Sequence, residues 1–194
     1  MKRPPLFAQA PLAALLACTL AACSAPPSAE NAGPVATYES AAHNAFIASS
    51  HQAIDDMVQG LSMAYLDQAP VLVATVVNVN DLTRTAPLGR TLSEIYASRL
   101  ANKGFHVREL KLRGEVYVKE GTGELLLSRE IRDIAKHHSA SLVLVGTYSQ
   151  AQNYTYVSLK LVRTADNRII RSHDYALPND RDIQRLLGGG TGLR

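Results

Sequence analysis

Two cysteines, six histidines and one knot of mixed charge are the residues of this 194-residue chain that could carry chemistry. His137 and His138 are adjacent, and neighbours on a helix point roughly 100° apart, which suits one ion poorly. No carboxylate or thiol completes a set at ligand spacing, so no metal and no cofactor is expected. Gly121-Thr122-Gly123 lies in a polar stretch with no helix start in register behind it, unlike a phosphate cradle. The chain lacks a Gly-x-x-x-x-Gly-Lys-Ser/Thr loop, a dinucleotide fingerprint and a Gly-x-Ser-x-Gly elbow. Asp81, Arg84 and Arg90 form the densest charged group beside a strand end, where loops often carry function. They suit a partner-contact loop, and equally a solvated turn with a salt bridge at a helix start. The expectation is a protein without catalysis.

The thiols lead to a different kind of chemistry. Lys2 and Arg3 precede an apolar run from Leu12 to Leu20, too short to span a bilayer as a helix. Ala21 and Ala22 then lead into Cys23. Leu20-Ala21-Ala22-Cys23 resembles a bacterial lipobox. There the cysteine is diacylated on sulfur, becomes the first mature residue and takes a further chain such as palmitate on nitrogen. Two or three acyl chains hold a protein far more firmly than one, at roughly 0.8 kcal/mol per buried methylene. Ser24 follows the cysteine, and in lipoproteins with this motif a non-aspartate residue there sends the protein to the outer membrane. The covalent lipid on Cys23 is the one attached group expected.

Removing residues 1–22 takes away two basic residues and Cys18, and leaves enough chain for one domain with its own core. The mature chain is then almost neutral, which gives no footprint for nucleic acid. With Cys23 lipidated, no disulfide is available, so the core alone must hold the fold. Residues 23–39 comprise the acylated cysteine and a flexible tether rich in Ala, Pro and Ser. Residues 40–178 are read as the folded domain, and residues 179–194, with Gly188 to Gly190 and Gly192, as a frayed tail.

Inside the domain, hydrophobic spacing sets the elements. Ile47, His51, Ile54, Val58, Leu61 and Tyr65 recur at steps of four and three, which predicts one long helix over 40–68 with Ser40 as N-cap and Pro70 as terminator. That seam packs either on its own domain or on a partner helix. Val71–Val79 is apolar on both faces and predicts a strand covered on both sides. A second helix begins near Pro87 and is closed by Gly104. A strand over 105–112, an exposed ribbon over 114–124 and a helix capped by Ser128 follow. Leu142–Tyr148, Tyr156–Arg163 and Ile169–Leu177 predict an antiparallel meander with one wet face, turning at Asp166-Asn167. The fold class expected is α/β, α+β-like: a single domain with a mixed sheet, a C-terminal antiparallel meander and three helices, the first one long.

Three stretches together resemble the FlgO family of flagellar outer-membrane lipoproteins. They are Val79-Asn80-Asp81-Leu82-Thr83-Arg84-Thr85-Ala86-Pro87-Leu88-Gly89-Arg90 leading to Glu94, then Glu124 to Arg132, then Val145-Gly146-Thr147-Tyr148 with Tyr156 to Val162 and Leu177-Pro178. The resemblance spans about residues 40–178. It implies an accessory protein with no catalytic residues, tied to motility and to flagellar structure at the outer membrane. Its partners would be flagellar basal-body or other envelope proteins, with self-association open. The loop from Asp81 to Arg90 maps onto it as the contact surface. Two alternatives stand beside it: a lipoprotein regulator of peptidoglycan synthesis, whose kind carries longer tethers, and a subunit of a curli-secretion-like assembly, which needs more amphipathic strand than Val116–Val118 supplies.

Overall fold

In the computed structural model the described residues are 35–61, 68–82, 85–110 and 129–188, with the side chains of 110 and 129–132 excepted. Cys23, the lipobox, Tyr65, Arg84, Ser128 and the 114–124 ribbon lie outside them. The chain divides into two compact units, Met1–Ala41 and Ala42–Arg194.

The long first helix forms as two segments, α1 (Tyr38–Ala42) and α2 (Ala45–Val58). Ser40 does not cap α2. Its hydroxyl accepts from the Thr37 amide at 2.9 Å while Thr37 Oγ1 accepts from the Ser40 amide at 3.1 Å. Asn44 caps α2 instead, Oδ1 accepting from the amides of Phe46 at 2.9 Å and Ile47 at 3.3 Å. The helix also stops at Val58, well short of Pro70, as Gly60 turns to φ +76°.

A six-stranded open mixed sheet forms the centre. β1 (Val71–Ala74) and β2 (Val77–Asn78) divide the strand expected over 71–79, and α3 (Pro87–Asn102) follows. β3 (Val107–Leu110) precedes α4 (Arg129–His137), and then come β4 (Leu142–Gln150), β5 (Tyr154–Arg163) and β6 (Ile169–Pro178). The order is β3-β1-β4-β5-β6, with β2 pairing β4 beyond the end of β1. β1 runs parallel to β3 and β4, and the β4-β5-β6 meander is antiparallel. Both faces of β1 are buried, as its unbroken apolar sequence demands.

On the inner face Val71, Val73, Leu142, Leu144, Val157, Leu159 and Leu161 meet α2 and α3. On the outer face Leu72, Ala74, Val143, Val145 and Val162 meet Ala135 and Ile134 of α4. The C-terminal segment is a correction. Residues 181–186, expected to fray, form helix α5 (Arg181–Leu186), capped by Asp180, whose Oδ1 accepts from the Ile183 amide at 2.8 Å. Ile183 enters the inner core at 2 % exposure. Asn179 joins this helix to the β4–β5 turn, donating from Nδ2 to the Ala151 carbonyl at 2.7 Å and accepting from Thr155 Oγ1 at 2.7 Å.

Candidate functional site

The loop carrying Asp81 and Arg90 is held from below. Between β1 and β2 the chain bends at Thr75-Val76, and this bend locks to the start of α3. The Val76 amide donates to Ser93 Oγ at 2.9 Å, and Ser93 Oγ donates to the Gly89 carbonyl at 2.8 Å. Thr85 Oγ1 donates to the Val76 carbonyl at 2.8 Å. The Ala86 amide donates to Tyr148 Oη at 3.1 Å, tying the α3 N-terminus to β4. Gly89 makes the close approach possible, because a Cβ there would overlap the Val76 carbonyl oxygen. Thr85, Gly89 and Tyr148, all within the stretches that prompted the family resemblance, are therefore scaffold residues of this loop.

Of the contact-loop residues, Asp81 is half-buried and bridges in antiparallel fashion to Asn78. The Asn80 amide donates to Asn78 Oδ1 at 2.8 Å, closing the turn before it. Arg90 is exposed on the first turn of α3. Among the described residues of this stretch, Asp81 follows the Asn78 turn and Arg90 stands exposed on the braced start of α3.

The α2 seam serves the domain's own core. Ile54 and Val58 are buried at 0 % and 8 %, and Leu61 packs against the same cluster. Ile47 is 41 % exposed. Ser50, Ala53 and Met57 face inward beside Ile54 and Val58, and at the start of the helix Phe46, not Ile47, packs on the core. Asp55 fastens α2 to α3, accepting from Arg99 Nε at 2.7 Å and Nη2 at 2.5 Å, with Lys103 Nζ at 3.1 Å. These bonds, that to Arg99 foremost, hold its carboxyl down to about 2. Against β6, Ser50 Oγ lies 3.2 Å from Tyr175 Oη, which lies 2.5 Å from Tyr96 Oη. Burial pushes both phenols up, Tyr96 further.

The outer face of the meander was legible only as its wet side. There a groove of about 430 Å³ is lined by Val79, Thr147, Ser149, Tyr156, Ser158 and Asp174 among others. Tyr154 shares the face with Tyr156, two residues along β5, and the two are 48 % and 54 % exposed. His137 and His138 hold no metal constellation: among the described residues no group of three potential ligands exists. His138 Nδ1 lies 3.0 Å from Arg108 Nη1. Among the described residues no helix is long and apolar enough to cross a membrane.

A model of the family described as FlgO protein matches residues 51–182. No curated protein matches the chain. Among solved structures, the chain is similar to the LpoB C-terminal domain from Escherichia coli at 17% identity and TM-score 0.48, covering 69% of this chain and 98% of that one. It is similar to the PelC dodecamer from Paraburkholderia phytofirmans at 16% identity and TM-score 0.41, covering 58% and 73%.

Proposed function

The chain belongs to the FlgO family, and we propose that it is a non-enzymatic lipoprotein accessory to flagellar structure and motility. On this reading Cys23 is acylated and anchors the chain at the periplasmic face of the outer membrane. The folded domain acts there through protein–protein contacts. The observation that carries the reading is the family match over residues 51–182. The Leu-Ala-Ala-Cys stretch supports the anchor. The start of α3 beside Arg90, braced through Gly89, Thr85, Ser93 and Tyr148, supports a preformed contact surface, since a braced segment loses little entropy on docking.

Deletion of the gene tests this directly. Swimming in soft agar should fall and flagella should be lost or unstable, while growth continues. Restoring the wild-type gene should restore swimming, and a Cys23→Ala gene should not. Unchanged swimming with unchanged flagella contradicts the proposal. Altered cell-wall synthesis in the deletion, with motility intact, would place the chain among regulators of peptidoglycan synthesis.

A further inference from the structure

We draw no further inference here: the strongest candidate, the groove of about 430 Å³ on the outer face of the β4-β5-β6 meander, lined by Val79, Tyr156 and Asp174 among others, carries none, because nothing in the structure shows what covers it.

Discussion

Asp55 joins helices α2 and α3, and its pair of bonds to Arg99 makes the junction directional. Asp55→Asn removes a charge-assisted pair at a partly exposed site and should cost about 1–2 kcal/mol in chemical denaturation. Its pH dependence has a definite sign. The unfolded carboxyl titrates near 3.8 and the folded one at about 2. The stabilisation is therefore complete above the first value and is lost as pH falls through the second. An acid titration in which wild type and Asp55→Asn converge below that window is the check. The tyrosines behave oppositely. Tyr96 and Tyr175 are held neutral by burial, so their contribution is present below pH 10, where an unfolded tyrosine begins to ionise, and is lost as pH rises past it. Tyr96→Phe should flatten the alkaline limb of a stability profile. Gly89→Ala drives a methyl into the Val76 carbonyl and should cost about 1–3 kcal/mol. None of these pairings was readable in sequence. Asp55 sat in a run of acids with no basic neighbour, and its partner lies 44 positions away. Gly89 stands in the sequence only as part of the Val79–Arg90 stretch, and the Val76 carbonyl it admits lies 13 positions before it.

Among the elements, legibility followed length and apolar continuity. The doubly buried strand over Val71–Ala74, the helix from Pro87 and the meander were readable because their hydrophobic residues repeat over several turns or rows. The start of the α2 stripe was not, because Phe46 and Ile47 are both apolar and either could begin it, while Ile54 and Val58 pack inward as their spacing requires. Packing chose Phe46. After Val58 the chain leaves helical geometry at Gln59 and turns at Gly60, φ +76°. Helix α5 was hidden by its six residues and the glycines behind it. A frayed tail predicts that Ile183→Ala changes stability by less than about 0.5 kcal/mol. The buried Ile183 predicts a loss of about 2–4 kcal/mol instead. Denaturant midpoints of wild type and variant decide between them. Asp180→Ala, which removes the cap, should cost about 1 kcal/mol by the same assay.

For the whole molecule, the described core is one mixed sheet with α2 and α3 on one face and α4 on the other. The proposed contact loop begins beyond β2 and runs into α3. Its charged residues beside a strand end stand out in the sequence, whereas the bracing of the α3 start by Val76, Ser93 and Tyr148 does not, because those partners meet only in the fold. The most direct measurement of the central claim is site-specific photo-crosslinking from Asp81 in intact envelopes, in chains with Cys23 and with Cys23→Ala. Flagellar basal-body proteins captured by the first chain and lost from the second are the result the account predicts. Capture of cell-wall synthases in their place, or the same partners without the lipid, would contradict it.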